Sequence, residues 1–303
     1  MNWGEPHLRG WAKRLASHGF MVDSRTIPAG AAVPRRRCSS AGHRNTRTMA
    51  RFHVKHAEES DSTEDMQRLR ETLAAGILEL GLEIAASDQD TMLSYLLAVL
   101  LVNRHLNLTR IVDPVMAVRL HLLDSLAAAP ELRCAPPGDV IDIGSGAGFP
   151  GVPLAIESGR DFTLLDSVGK KTRAVQSILD GSSGRIPAAA VSGRAEEIAR
   201  RSPARYSVAV ARAVAPLQAL VELACPLLKQ NGRLIALKAQ PCDEELQSGV
   251  RASQILGMRM LSSRKLVLPG SEERRTILVF EKVGASTVDL PRRTGLAQHQ
   301  PLV

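Results

Sequence analysis

The chain has 303 residues, of which 44% are hydrophobic, enough for one large domain with an appendage. Its net charge of +8 lies mostly in residues 1–48, which contribute +7, so the rest is nearly neutral and bulk charge does not indicate nucleic-acid binding. The longest apolar run is shorter than the ~20 residues of a membrane span, and the four cysteines lack metal-ligand or disulfide spacing, which predicts a soluble, cytoplasmic protein without a metal.

The first 60 residues differ in composition from the rest of the chain. They are rich in Arg, Ser and Gly and lack a sustained hydrophobic period, which predicts a disordered basic extension. An Arg-rich, acid-poor stretch is also typical of an organelle transit peptide. A third interpretation, which we favour, is that translation starts at Met49 and that residues 1–48 are never made.

Three helices are expected next. Between Glu64 and Glu83, apolar residues recur at helical spacing, at Leu69, Leu73, Ile77 and Leu80. A second helix is predicted over Gln89–Arg104, capped by Ser87 or Asp88, and a third runs from Pro114 to about Leu126. Because no strand pattern separates these three helices, the sequence predicts that they form a helical lobe ahead of the strands that follow.

Strands and helices alternate after Gly138, which predicts a parallel sheet. The expected strands are Asp139–Ile143, Phe162–Asp166, Ala188–Ser192, Tyr206–Ala211 and, after a turn at Asn231-Gly232, Arg233–Lys238. The expected helices lie at about Gly151–Glu157, Gly169–Leu179, Glu196–Arg200, Pro216–Leu228 and Asp243–Leu256. Two further strands, Arg259–Leu268 and Thr276–Lys282, flank a P-G-S-E-E-R turn and predict an antiparallel pair.

A parallel sheet with a terminal antiparallel pair fits a Rossmann-like methyltransferase better than a dehydrogenase. The expected fold class is therefore α/β, a seven-stranded Rossmann-like sheet of the class I methyltransferase type with an N-terminal helical lobe. The expected division places the lobe at 64–130, the nucleotide-binding domain at 131–283 and a C-terminal tail at 284–303.

A glycine-rich turn follows the first predicted strand. Residues 140–151 read V-I-D-I-G-S-G-A-G-F-P-G, and such a strand, turn and helix form the first half of a nucleotide-binding unit. Asp142 stands where dinucleotide dehydrogenases usually keep an apolar residue, and a carboxylate there suits a cationic ligand such as S-adenosylmethionine. Asp166 ends the second strand, where an acid accepts hydrogen bonds from ribose hydroxyls. The G-x-G-x-G spacing also differs from the dinucleotide pattern.

Several motifs together resemble the glucose-inhibited division protein B family. They are H-L-L-D-S-L-A (121–127), D-I-G-S-G-A-G-F-P-G-V-P-L-A-I (142–156), L-L-D-S-V-G-K-K-T-R (164–173), G-R-A-E-E (193–197), A-R-A-V-A-P-L (211–217) and P-R-R-T-G-L-A-Q-H-Q-P-L (291–302). The resemblance implies methylation of guanine N7 in 16S, small-subunit, ribosomal RNA with S-adenosylmethionine as cofactor. M-A-R-F-H-V-K-H (49–56) is also similar to the start of many family members, hence the preference for Met49.

The resemblance and the predicted topology suggest which residues act. Cofactor contacts are expected at the glycine turn, after the second and third strands and at the end of the fourth, at Asp142, Gly144, Gly146, Phe149, Asp166, Ala195, Glu196 and Arg212. Arg212 and Lys238, at the ends of the fourth and fifth strands, are the expected catalytic pair. RNA phosphates are expected to contact Arg110, Arg119, Lys170, Lys171 and Arg173.

The sequence also bears on the acceptor atom. Guanine N7 carries a lone pair and no proton, so its methylation needs no general base, and positioning supplies the rate. Exocyclic-amine methylation is disfavoured because Ala211-Arg212-Ala213-Val214 replaces the [DN]-P-P-[YF] turn typical of that class. Two alternatives stay open: a methyltransferase of the same fold acting on a protein or small molecule, and a donor-binding assembly factor without turnover.

Overall fold

A computed structural model describes the backbone of residues 47–303 and the side chains of residues 63–303. The predicted extension over 1–60, with its three interpretations, lies outside the described side chains, and residues 1–46 of it also lie outside the described backbone. The first helix, α1, spans Arg47–Glu79 and so begins before the predicted Glu64. The reason is local: no glycine or proline occurs between Arg47 and Gly76 to end a helix.

The predicted helical lobe is present. It comprises α1, α2 (Ala86–Leu106), a continuous helical segment α3 and α4 (Ala129–Arg133). The segment α3 is built from Pro114–Ala117, the π-helical turn Val118–Leu123 and Asp124–Leu126. The predicted cap of α2 was wrong: Ala85 occupies the N-cap position without a side-chain hydrogen bond, and Asp88 lies inside the first turn.

Seven strands form a single sheet in the order β3-β2-β1-β4-β5-β7-β6, and the predicted α/β class is confirmed. The strands are β1 (Val140–Ile143), β2 (Phe162–Asp166), β3 (Ala188–Ser192), β4 (Tyr206–Arg212), β5 (Leu228–Lys238), β6 (Met258–Val267) and β7 (Arg274–Lys282). The first five pair in parallel, whereas β7 pairs antiparallel with both β5 and β6. The carboxyl ends of β1, β4 and β5 therefore lie on one edge, together with the start of β7.

Helices cover both faces of the sheet. They are α5 (Gly151–Ser158), α6 (Gly169–Gly181), α7 (Ala195–Arg201), α8 (Leu217–Ala224), α9 (Asp243–Ile255) and α10 (Leu296–His299). One core joins the lobe, α5 and α6 to one face, and the other joins α7, α8 and α9 to the opposite face. In β4, Val208 and Val210 belong to the first core, while Ala209 and Ala211 belong to the second. This alternation is the period-2 pattern of a strand buried on both sides.

The fourth predicted helix and fifth predicted strand have different bounds from those expected. Helix α8 ends at Ala224, and a 3-10 turn, Cys225–Leu227, leads directly into β5. The expected turn at Asn231 lies inside β5 as an irregularity, with a left-handed φ of 63° and a shift in the pairing with β4. An Asn tolerates this conformation better than most residues, so its turn signal marks a bulge here. Among the described helices, none is long and apolar enough to cross a membrane.

Candidate active site

The glycine turn begins where β1 ends, and its three glycines adopt left-handed φ values of 74°, 57° and 86° at Gly144, Gly146 and Gly148. A Cβ at Gly144 would lie 2.6 Å from Val214 Cγ2, and one at Gly148 would overlap the Tyr95 hydroxyl. A Cβ at Gly146 would meet nothing within 4 Å. Two of the glycines therefore permit close packing, whereas Gly146 leaves open space above the backbone.

Asp142 lies fully buried beneath this turn. Its Oδ2 accepts a hydrogen bond of 2.8 Å from the Gly151 amide, but its buried Oδ1 has no partner among the described residues. Burial raises the pKa of Asp142 to about 7, against the opposing effects of the Gly151 amide and the Arg212 charge. A half-satisfied buried carboxylate is a group that a nearby cation or a proton would stabilise.

Asp166 connects the end of β2 to the same turn. Its Oδ2 accepts from the Gly146 amide at 3.0 Å, and its Oδ1 accepts from the Val168 amide at 2.8 Å. The carboxylate thus holds the glycine turn against the start of α6. Each carboxylate oxygen has a second lone pair, so these bonds leave Asp166 able to accept from a ligand hydroxyl.

Arg212 ends β4 and joins the sheet to the π-helical turn of the lobe. Its Nη1 donates to the Leu120 carbonyl at 2.9 Å and to Asp124 Oδ2 at 3.1 Å. Arg275, at the start of β7, donates from Nε to the other oxygen of Asp124 at 2.9 Å. The Asp124 side chain is only 4% exposed, so this carboxylate lies buried between two guanidinium groups.

His121 and Phe149 stack in parallel beside Arg212, with ring centroids 4.6 Å apart. Arg212 Nη2 donates to His121 Nδ1 at 3.4 Å, which leaves the ring proton on Nε2, 2.8 Å from Thr109 Oγ1. Burial and the Arg212 charge lower the pKa of His121 to about 3, so the ring is neutral. The Phe149 ring also meets Tyr95 edge-on and is buried, so a cofactor contact through this ring stays a prediction.

Lys238 and Glu245 form an ion pair of 2.6 Å beside the loop that follows β4. Lys238 Nζ donates to the Ala215 carbonyl at 3.1 Å, and Glu245 accepts from the Leu217 amide at 3.0 Å. The pair therefore fixes the loop that carries Val214, the residue packed over Gly144. Lys238 is placed to position this loop, and its predicted catalytic role is untested.

Ala195 and Glu196 begin α7, after β3, as the topology predicts. Glu196 is buried, and its Oε1 accepts from the Gly295 amide at 2.7 Å. Arg292 makes a bidentate pair with Glu222, which is also buried, with both distances 2.7 Å. Two buried carboxylates therefore hold the C-terminal tail against α7 and α8, and the Glu196 side chain is engaged with the tail.

The five cations predicted to contact RNA lie on separate elements of the fold. Lys170, Lys171 and Arg173 lie on α6, directly after β2. Arg119 lies on the lobe and packs against Gly270 in the turn between β6 and β7. The contact is close: a Cβ placed on Gly270 would lie 3.2 Å from Arg119 Nε. Arg110 is exposed in the loop after α2. Strands β2 and β6 are far apart in the sheet, so the structure does not gather all five into one patch.

Comparison with known proteins decides the family. A model described as rRNA small subunit methyltransferase G, GidB, matches residues 88–276, which is more than half of the chain. The chain belongs to this family. Family members named ribosomal RNA small subunit methyltransferase G are 38% identical in Deinococcus radiodurans, covering 77% of this chain and 92% of that one, and 34% identical in Alkaliphilus metalliredigens, covering 76% and 97%. Among solved structures, the antibiotic-resistance methyltransferase Kmr overlaps 52% of this chain and 93% of its own at 18% identity and a TM-score of 0.39.

Sequence reasoning for this family member missed residues whose role depends on the docking of the lobe. Neither Arg275 nor Asp124 was among the predicted site residues. Tyr95, whose hydroxyl donates to the Ala147 carbonyl at 2.9 Å, lies in the second predicted helix but was not among the predicted site residues either. A tyrosine within an otherwise aliphatic helix was the available signal, since a buried hydroxyl requires a partner.

Proposed function

We propose that the chain transfers the methyl group of S-adenosylmethionine to N7 of a guanine in 16S ribosomal RNA, in the bacterial cytoplasm. The observation that carries the proposal is the glycine turn over a buried carboxylate with one unpartnered oxygen. Family membership supports both the reaction and the acceptor, because the curated relatives are named as small-subunit ribosomal RNA methyltransferases.

The residues at the turn fit this donor. The open space above Gly146 lets a ligand lie on the backbone of the turn. The Asp142 carboxylate, which has one oxygen without a partner among the described residues, suits a positively charged group of that ligand. S-adenosylmethionine supplies an electrophilic methyl group on a sulfonium and a cationic ammonium. Asp166 would accept from the ribose hydroxyls, and Gly144, Phe149, Ala195 and Glu196 would complete the cradle, the last through its backbone.

Arg212 would orient the donor carboxylate or the acceptor base. Three of its five N–H donors are used within the chain, and its side chain is 16% exposed, so the remaining donors can face a ligand. Lys238 would act by holding the loop over Gly144. No general base is required, because guanine N7 attacks with a free lone pair, and His121 has both ring nitrogens engaged.

The test uses small ribosomal subunits that lack N7 methylation, incubated with this chain and donor labelled in the methyl group. We expect label on one 7-methylguanosine of the 16S RNA after nuclease digestion and chromatography. Fully methylated subunits are the control and should take up no label. If the donor binds but no RNA is labelled, the proposed acceptor is wrong, and if label appears on another base atom, the proposed chemistry is wrong.

A further inference from the structure

A cavity of about 390 Å³ lies at the corner of the sheet where β5 and β6 end and β7 begins. Gln240, Lys265, Arg274, Arg275 and Thr276 contribute to its lining. We call it the corner cavity. It is separate from the glycine turn, and none of the sequence-predicted site residues lines it.

The sheet register places the corner cavity on the same edge as the methyl-transfer site. Thr276 pairs with Lys238 on one side and with Lys265 on the other. Arg212 pairs with Leu237, the residue before Lys238. Neighbouring strands are separated by about 4.8 Å, so the cavity begins within two strand spacings of the Arg212 backbone. An acceptor bound at the end of β4 would extend over this corner.

Positive charge dominates the corner cavity. Three cations line it and no carboxylate does. Arg275 is held by Asp124 and Glu273, but within the described part of the chain neither the Lys265 ammonium nor the Arg274 guanidinium makes an ion pair. Many other described arginines, such as Arg133, Arg264 and Arg292, do pair with a carboxylate.

A further cation borders the turn that closes the corner. Arg119 packs on Gly270, in the β6–β7 turn, and its buried Nε has no hydrogen-bond acceptor among the described residues. Cations without acceptors, beside side-chain hydrogen-bond donors such as Gln240 and Thr276, make a site that a phosphate would satisfy.

We propose that the corner cavity binds a backbone phosphodiester of the acceptor RNA, with Lys265 and Arg274 as its charged contacts. This inference rests on the proposed function, because the RNA must reach both the cavity and the end of β4. Phosphate contacts set the position and orientation of an RNA strand without reading its bases. The cavity would thus hold the RNA in place while the target guanine is presented at the methyl donor.

The test compares two double variants with the same loss of charge. In the first, Lys265→Gln and Arg274→Gln remove the cavity cations. In the control, Lys229→Gln and Arg201→Gln remove two exposed cations at the opposite edge of the sheet, at the start of β5 and the end of α7. Equal urea midpoints would establish that both variants fold like the unchanged chain.

We expect the KM for small ribosomal subunits to be about tenfold higher in the cavity variant than in the unchanged chain. The slope of log affinity against log salt concentration should decrease in magnitude by about 1 for each lost phosphate contact. The dissociation constant of the cavity variant for S-adenosylmethionine and its kcat at saturating subunits should match those of the unchanged chain. The control variant should change neither KM nor the salt slope by a comparable amount.

A cavity variant that behaves like the control, or that loses donor affinity instead, would overturn the inference while leaving the proposed function intact. If the unchanged chain methylates no RNA, the proposed function fails first and the inference fails with it. The unchanged chain therefore serves in the same assay as the reference that separates the two failures.

Discussion

The glycine turn and the corner cavity lie on the same edge of one sheet, yet their electrostatics are opposite. Next to the glycines of the turn lie two carboxylates, Asp142 and Asp166, which accept hydrogen bonds from backbone amides. At the corner, the charged groups are cations, and Lys265 and Arg274 make no ion pair among the described residues. This difference suits two ligands of opposite charge, a small cationic donor and a polyanionic acceptor.

Asp124 joins the two regions. It pairs with Arg212 from the turn side and with Arg275 from the corner side, and its carboxylate is almost fully buried. A single residue of the helical lobe therefore contacts both sides of the site. The predictions below, from the largest expected effect to the smallest, alter this arrangement or one of its two sides.

Removing the shared carboxylate should have the largest effect. In Asp124→Ala, the partly buried Arg212 loses its paired carboxylate and Arg275 keeps only Glu273, so we expect the free energy of unfolding to fall by about 3–5 kcal/mol. Urea denaturation measures this change. Glu131→Ala, which removes the partner of the more exposed Arg264, is the control and should cost about 1 kcal/mol. Equal losses in the two variants would show that Asp124 has no special bridging role.

The glycine turn can be tested by two alanine substitutions that separate packing from ligand space. Both Gly146→Ala and Gly148→Ala place a side chain at positive φ, at a cost of about 1–2 kcal/mol. Gly148→Ala also overlaps Tyr95, which adds about 1–3 kcal/mol to the loss of stability. Gly146→Ala should instead lower donor affinity about tenfold, since its methyl group enters the open space. Thermal unfolding and calorimetric titration would contradict this prediction if the two variants behaved alike.

Asp142→Asn should remove the pH dependence of donor binding. The folded-state pKa of Asp142 is raised from 3.8 to about 7, so its contribution to stability is complete below about pH 4 and is lost as pH rises through 7. The cationic donor favours the ionised form, so donor affinity should increase as pH rises through 7. Titration calorimetry at several pH values should find this increase in the unchanged chain and a flat profile in Asp142→Asn. A slope that persists in the variant would assign it to another group.

The sequence predicted the sheet well because its signals are local. Buried strands, glycine turns and helix periods each occupy a few consecutive residues, and the parallel order with a terminal antiparallel pair follows from their alternation. The bulge at Asn231 was interpreted as a turn before β5, because an Asn-Gly pair gives the same signal in both settings. Local patterns do not show that the pairing of β5 with β4 passes directly from Leu228 to Arg233.

The contacts around the candidate site were less predictable because they join residues distant in sequence. Arg212 was expected at the strand end that it occupies, but its contacts with Leu120 and Asp124 require the docked lobe. Glu196 was expected beside the cofactor, yet its side chain holds Gly295, about a hundred residues later, because a buried carboxylate needs a donor that the tail supplies. Hydrophobic periodicity and motif spacing do not show which residues distant in sequence will pair.

The attachment of the tail has a consequence for synthesis of the chain. Arg292 and Gly295 come after all seven strands in the sequence, so the carboxylates of Glu222 and Glu196 lack these partners while the rest of the domain is being translated. Domains generally fold as units, and an unpaired buried carboxylate opposes the packing around it. We therefore expect the α7 and α8 side of the core to pack fully only once the tail is present.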